Sequence, residues 1–164
     1  MTCDTLTKNT WIRYTGASCH MTNLADGMFE TTYINGQVKV ENSTKMNATK
    51  IGKWSGVIYQ KDGTKKNIVL DKVKLGPELW TNLFSIGTLL KKQWNLSNEE
   101  PIISLSKNNF NLSFDRFFLT KDCLIMGINI NSSSGASIER NSVSPLKAVT
   151  LIDINVLHFM LGHA

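Results

Sequence analysis

Short stretches in which apolar and polar residues alternate, separated by turn-forming residues, predict a protein built mostly of β-strands. Alternation over residues 37–40 follows an Asn35-Gly36 pair, and we expect a hairpin whose turn lies at that pair. The same signals predict hairpins that turn at Asp62-Gly63 and at residues 107–109. Closing strands are predicted over residues 117–119 and 124–128. Many short strands with frequent turns favour a closed or nearly closed β-barrel.

One short helix is predicted among these strands, over residues 83–92. Asn82 is suited to cap its N-terminus, and the pair Lys91-Lys92 suits the negative C-terminal end of the helix dipole. Four apolar residues recur at helical spacing and are predicted to face the core: Leu83, Ile86, Leu89 and Leu90.

Composition supports a single globular domain followed by a tail. The 164 residues are 41% hydrophobic and 19% charged, which are ordinary values for a globular protein. Small polar residues beginning at Asn131 bury too little apolar surface to fold alone, so we expect a linker there. The predicted organisation is an N-terminal extension (1–9), a β domain (10–130), a polar linker (131–149) and a further segment (150–164).

Charge and cysteine content bear on location and partners. The net charge is +5, but the lysines are scattered along the chain, and we expect this domain not to bind nucleic acid. Three cysteines at irregular spacing argue against a disulfide framework and for a reducing compartment. No apolar run approaches the roughly 20 residues of a membrane span, and the N-terminus lacks the form of a signal peptide. We therefore expect a cytoplasmic protein, in the cell or in a virus-like particle, that is neither secreted nor membrane-bound.

The most informative motif is a β-forming run over residues 11–14 that ends in the small-residue turn Thr15-Gly16-Ala17-Ser18. The string Cys19-His20-Met21-Thr22 follows it. Two further motifs are the stretch over residues 73–86, VKLGPELWTNLFSI, and the C-terminal LHFMLGHA over residues 157–164. In this order and at this spacing, the first two resemble the protease region of copia-type retrotransposon polyproteins. The third resembles the start of their pre-integrase zinc module.

The resemblance implies a retropepsin-like closed β-barrel that acts as a twofold homodimer and cuts a polyprotein at apolar peptide bonds without a cofactor. In the family an aspartate opens the turn, and dimerisation brings two carboxylates together to share a proton. In this chain that position is Tyr14. A phenol has a pKa of about 10, so it is neutral at neutral pH and a poor general base. We therefore expect Tyr14, Thr15, Gly16 and Ala17 to form a degenerate catalytic loop.

Three functional hypotheses remain open, and with them the question of whether the chain is an enzyme. The first is a catalytically inactive polyprotein domain that keeps the fold, dimerises and binds a peptide or polyprotein segment. The second is an active aspartic endopeptidase that uses another acid. The third is a structural or nucleic-acid-associated β-barrel scaffold. The candidate acids are Asp4, Asp26, Asp62, Asp71, Asp115, Asp122 and Asp153.

A substrate-covering flap is expected in the long hairpin over residues 48–71. Lys53, Trp54, Ser55 and Gly56 are its candidate cleft residues, and the alternative for Trp54 is a place in the core.

Other chemistry is less well supported. Cys19 and His20 are adjacent in an extended segment and so point to opposite faces, which disfavours a nucleophile and base pair and favours a buried thiol beside a core or surface imidazole. His158 and His163 have zinc-ligand spacing, but two ligands do not make a structural site, so they would bind metal only in a longer chain.

Overall fold

The computed structural model describes residues 3–14, 17–39, 45–99, 102–119 and 124–133, except for the side chains of residues 37–39 and 45–46. Within these ranges the protein is mostly β, with one short α-helix, α1 (Ile86–Lys91), and a 3-10 helix at Ala25–Gly27. The strands are β1 (Thr10–Tyr14), β2 (Met21–Thr22), β3 (Met28–Lys39), β4 (Lys45–Tyr59), β5 (Lys65–Leu75), β6 (Asn82–Ser85), β7 (Asn95–Glu99), β8 (Ile102–Lys107), β9 (Phe110–Phe114), β10 (Arg116–Leu119) and β11 (Leu124–Ser132).

Eight of these strands form one sheet in the order β10-β11-β1-β6-β2-β5-β4-β3. Strand β11 pairs with β4 as well as with β1, so the hydrogen-bonded pairing runs from β11 through β1, β6, β2, β5 and β4 and returns to β11. The pairs β1–β6 and β2–β5 are parallel, and the remaining pairs are antiparallel. Strands β7, β8 and β9 form a separate three-stranded antiparallel sheet.

The main core lies where the two sheets meet. Trp11 of β1 and Trp54 of β4 pack edge to face with ring centroids 4.8 Å apart. Phe84 of β6 makes a similar contact with Phe114 of β9, at 5.2 Å, so an aromatic pair joins the smaller sheet to the larger one. Buried aromatic pairs of this geometry add about 0.5–1.5 kcal/mol each beyond the area they bury. This core fixes β1 and β6, the two strands that carry the candidate site.

The hairpin predicted at Asn35-Gly36 is wrong, because both residues lie inside the continuous strand β3. Tyr33 pairs with Lys50 and Gly36 pairs with Ala48, so β3 has one residue more than β4 between these pairs and forms a bulge. Gly36 does not adopt the positive φ that an Asn-Gly hairpin turn requires. Pairing with β4 on both sides of the dipeptide therefore overrides its turn preference.

The other two hairpins and the closing strands are confirmed. The turn between β4 and β5 contains Gly63 at φ +92°, and Asp62 Oδ1 accepts the Thr64 amide at 2.8 Å. Between β8 and β9, Asn108 and Asn109 both have positive φ, as a two-residue hairpin turn demands. The closing strands are β10 and β11, and β11 continues to Ser132.

The helix is shorter than predicted. Residues 82–85 form strand β6 and not a first helical turn, so Asn82 is not the N-cap. The cap is Ser85, whose Oγ accepts the amide of Thr88 at 3.2 Å. Leu90 was predicted to face the core and is 40% exposed. Residues 82–85 are extended because they pair in parallel with β1, although the spacing of their apolar residues also fits a helix.

The chain outside the main sheet is described in part. Asp4 bonds to β10, since its amide donates to Phe117 O and its Oδ2 accepts the Phe117 amide, both at 2.7 Å. Asn9 O accepts the Ile130 amide of β11 at 2.9 Å, and Leu6 is buried. The linker was predicted to begin at residue 131, but Asn131 and Ser132 pair with β4 as the end of β11. The rest of the predicted linker, from residue 134 onward, and the segment over 150–164 lie outside the described residues. None of the described helices is long and apolar enough to cross a membrane.

Candidate functional site

Tyr14 is the last residue of β1, and the fold holds it between two other strands. Strand β1 pairs with β11 on one side and with β6 on the other, and Tyr14 lies opposite Ser85 at the end of β6. Side chains alternate along a strand, so Trp11 points into the main core while Ile12 and Tyr14 point to the opposite face. The place of Tyr14, where the resemblance predicts a catalytic carboxylate, is thus well defined.

The Tyr14 side chain is packed among apolar groups and is only 9% exposed. We refer to these buried residues as the Tyr14 cluster: Leu6, Ile12, Tyr14, Met21, Leu79, Leu83, Phe118 and Ile125. Ala17, Cys19 and Trp80 pack against it and are half-buried. The cluster contains no carboxylate among the described residues, so nothing in it can share a proton with a second acid.

The residues after the turn are tied to the start of α1 by a set of hydrogen bonds, here termed the Ser85 network. Ser85 Oγ donates to Ala17 O at 2.7 Å and accepts from Thr88 Oγ1 at 2.8 Å. The Ser85 amide donates to His20 Nδ1 at 2.9 Å. One serine therefore caps the helix and fixes both ends of the segment over residues 17–20. Thr15 and Gly16 themselves lie outside the described residues.

His20 is fully buried and serves as a structural acceptor. Its ring packs edge to face on Phe84 at 4.8 Å. Burial, helped by the positive charge of Lys92 and opposed by the negative charge of Asp71, lowers the pKa of His20 from 6.5 to about 4. The imidazole is therefore neutral at neutral pH, with Nδ1 unprotonated and bonded to the Ser85 amide.

The neighbouring thiol is not activated. Burial raises the pKa of Cys19, and the smaller effect of the Lys74 charge does not reverse this. Because only the thiolate is a strong nucleophile, Cys19 is inert at neutral pH. The prediction that Cys19 and His20 do not form a nucleophile and base pair is consistent with this environment, and the imidazole lies in the core.

Asn82 holds three strands together where β1 and β6 begin, at the opposite end of these two strands from Tyr14 and Ser85. Its Oδ1 accepts from Thr22 Oγ1 at 2.6 Å, and its Nδ2 donates to Lys8 O at 2.9 Å and to Thr10 O at 3.0 Å. Buried polar groups require partners of this kind. Sequence reasoning missed this role, since an asparagine near a helix start also fits a cap and nothing in the pattern identifies Thr22 as its partner.

The aspartates that could replace a catalytic acid are engaged elsewhere. Lys61 holds two of them: its Nζ contacts Asp4 Oδ2 at 2.8 Å, and its amide donates to Asp115 Oδ2 at 2.7 Å. Asp26 Oδ2 accepts from Ser132 Oγ at 2.9 Å, Asp71 pairs with Lys92 at 2.7 Å, and Asp62 stabilises the β4–β5 turn. Asp122 and Asp153 lie outside the described residues.

The residues proposed to line a flap lie in the middle of β4, which pairs on one side with β3 and on the other with β5. Trp54 is fully buried and its indole N–H donates to Leu24 O at 3.0 Å, so the structure places Trp54 in the core, the alternative left open by the sequence. A Cβ on Gly56 would lie 2.6 Å from Asn131 O, which explains a glycine there. Lys53 is partly exposed and pairs with Glu30. That Lys53 and Ser55 meet a substrate stays a prediction.

Metal ligands are not gathered in the part of the chain that the structure describes, where no group of three or more His, Cys, Asp or Glu side chains could hold an ion. His158 and His163 fall outside that part.

Comparison with known proteins identifies the family of this domain. The family model described as Pol polyprotein, beta-barrel domain, matches residues 11–94, just over half of the chain. The matched residues run from β1 past the end of α1 and therefore include Tyr14, the Ser85 network and Trp54. No curated protein and no solved structure matches the chain.

Proposed function

This chain belongs to the family of Pol polyprotein β-barrel domains and is a region of a retroelement polyprotein, and we propose that it is a copia-type retropepsin-like domain without proteolytic activity. The observation that carries the proposal is the position of Tyr14. It ends β1 opposite Ser85, where the resemblance requires a catalytic aspartate, and it is packed in an apolar cluster.

Aspartic proteolysis requires two carboxylates that share one proton, one acting as base on a water and the other as acid on the scissile carbonyl. A neutral phenol supplies neither function. The ring of Tyr14 also occupies buried volume in the cluster that contains Leu79, Leu83 and Phe118. The described aspartates that could substitute are bonded to groups outside this cluster.

The proposal also accounts for what the chain retains. The Ser85 network and the Asn82 hydrogen bonds hold the ends of β1, β2 and β6 in one arrangement. The hydrogen bonds that support the segment after Tyr14 are therefore present although residue 14 is not an aspartate. The return of the strand pairing from β4 to β11 supports a closed barrel. We propose that two copies associate about a twofold axis and act as a scaffold in the polyprotein, because a chain with one motif assembles a retropepsin cleft only as a dimer.

The test is restoration of the acid. The chain and its Tyr14→Asp and Tyr14→Asn variants are incubated with a peptide library between about pH 4 and about pH 7, with and without an aspartic-protease inhibitor. We expect inhibitor-sensitive cleavage by Tyr14→Asp and none by the other two proteins. Asn has nearly the size of Asp but no ionisable group, so it separates the effect of the carboxylate from that of the smaller side chain.

Two measurements make a negative result informative. Urea unfolding shows whether Tyr14→Asp is folded, because a carboxylate placed in an apolar cluster costs several kcal/mol unless it is solvated or paired. Sedimentation equilibrium shows whether the chain dimerises. A folded, dimeric Tyr14→Asp that cuts nothing would contradict the proposal that one residue silences the domain. Cleavage by the unchanged chain would contradict the loss of activity.

A further inference from the structure

A groove of about 340 Å³ lies between β5 and the β8–β9 hairpin, away from the Tyr14 cluster. Trp94 and Phe110 form its aromatic part, and Val69 of β5, which is 53% exposed, adds an apolar wall. Lys107 and Asn108 line it on the hairpin side. An accessible groove of this kind has no role in the proposed loss of proteolysis.

The two aromatic rings are held in place by the core beneath them. Trp94 and Phe110 are half-buried and pack edge to face with ring centroids 5.8 Å apart. Both pack against the main hydrophobic core, so their orientation is fixed by the fold. Exposed parts of rigid aromatic side chains are suited to stack against flat ligands, because little conformational entropy is lost on binding.

Lysine ammonium groups are held beside these rings. Lys66 Nζ lies 5.3 Å from the centroid of Phe110 and donates to Asn111 O at 2.6 Å. Lys107 Nζ donates to Lys92 O at 2.6 Å. The ion pairs formed by the described residues do not include Lys66 or Lys107, and the carboxylate of Asp62 acts on Lys66 only at longer range. Each ammonium keeps donors for a ligand.

We propose that this groove binds single-stranded nucleic acid, with bases stacked on Trp94 and Phe110 and phosphates contacting Lys66 and Lys107. Aromatic faces beside a line of positive charge are the two components that sequence-independent single-strand binding requires. An acidic peptide would use the lysines but would have no flat group for the rings. The expectation that this domain does not bind nucleic acid rested on scattered lysines, but the fold places Lys107 in the groove and Lys66 over the ring of Phe110, which lines it.

The test is binding of a labelled uridine oligonucleotide of about ten nucleotides, followed by fluorescence anisotropy across a range of salt concentrations. The double variant Lys66→Gln/Lys107→Gln is expected to bind about tenfold or more weakly, and to reduce the slope of log K against log salt by about 1.4, because each phosphate contact in a single strand contributes about 0.7. The control Lys50→Gln/Lys74→Gln makes the same change in charge at the other end of the β4–β5 pair, and is expected to retain the slope.

Stacking has its own readout. Trp11 and Trp54 are fully buried, so quenching of tryptophan fluorescence by the oligonucleotide is expected to come from Trp94 and to be lost in Trp94→Phe, which keeps an aromatic ring. Trp80 is half-buried and packs against the Tyr14 cluster, and a Trp80→Phe variant is expected to keep the quenching.

Equal weakening by both lysine pairs would show non-specific attraction and overturn the assignment of the groove. Competition by polyglutamate as effective as that by unlabelled oligonucleotide would favour an acidic peptide and likewise overturn it. Absence of binding at low salt would overturn it outright. A thymidine oligonucleotide run in parallel distinguishes RNA from DNA, and equal affinity for the two is expected because no contact in the groove is assigned to a 2′-hydroxyl.

Discussion

Acidification is expected to destabilise the fold mainly through His20. The pKa of this imidazole is about 4 in the folded chain, chiefly because of burial, against an ordinary value of 6.5. Between these two values the unfolded chain binds a proton that the folded chain does not. The contribution of neutral His20 to the free energy of unfolding is therefore fully present above pH 6.5 and is lost progressively as the pH falls toward 4.

The size of the effect follows from the separation of the two pKa values. Each unit of pKa corresponds to about 1.4 kcal/mol, so His20 alone should remove about 3 kcal/mol of the free energy of unfolding between about pH 7 and about pH 4. Protonation of Nδ1 would also break the hydrogen bond from the Ser85 amide. The pKa values of Asp71 and Asp62 are lowered in the folded chain, so these residues reduce the free energy of unfolding only below about pH 4. Burial raises the pKa of Asp115, so the protonation of Asp115 on acidification offsets part of the stability lost through His20.

The assay is urea unfolding at a series of pH values, extrapolated to zero urea. In His20→Asn the amide oxygen can still accept the Ser85 amide but cannot be protonated, so most of the pH dependence between 4 and 6.5 should disappear. The chain has three histidines, and the control His158→Gln/His163→Gln should keep the full dependence. The same slope in His20→Asn as in the unchanged chain would refute the reasoning.

Two further predictions concern the segment that follows Tyr14. Ser85→Ala removes the helix cap and the donor to Ala17 O, and should lower the free energy of unfolding by about 2 kcal/mol. The control Ser97→Ala, on the exposed strand β7, should change that free energy by less than about 0.5 kcal/mol. Equal losses for the two variants in urea unfolding would contradict the Ser85 network. The exposed Cys3 should react with a chromogenic disulfide reagent about tenfold faster than Cys19, because burial raises the pKa of Cys19. The variants Cys3→Ser and Cys19→Ser assign the two rates. Faster reaction of Cys19 than of Cys3 would contradict the conclusion that the Cys19 thiol is not activated.

The parts of the fold that depend on a few adjacent residues could be predicted from the sequence. Asp62-Gly63 and the two asparagines after Lys107 supply the backbone conformations that tight turns need, and both hairpins form there. Asn35-Gly36 carries a similar signal but lies in β3, because its pairing with β4 continues on both sides. The residue types of the turn itself are enough to predict the first two hairpins. At Asn35-Gly36 the pairing with the partner strand β4 determines the conformation instead.

Asn82 shows the same limit at the candidate site. Its spacing from the helix fits a cap, yet its partners are Thr22 and the carbonyls of Lys8 and Thr10, which only the assembled sheet brings within reach. The position of Tyr14 at the end of a strand could be predicted, since the motif and the alternation before it are local. Its burial could not, because the side chains that cover it, such as Phe118, come from distant parts of the chain.

The most direct test of the proposed loss of activity is mass spectrometry of a peptide library incubated with the unchanged chain, at concentrations where sedimentation shows a dimer, between about pH 4 and about pH 7. With Tyr14 buried in an apolar cluster and the described aspartates engaged elsewhere, the account predicts no product whose formation is blocked by an aspartic-protease inhibitor. Products that form without the inhibitor and disappear in its presence would contradict it, and would require a catalytic acid other than residue 14.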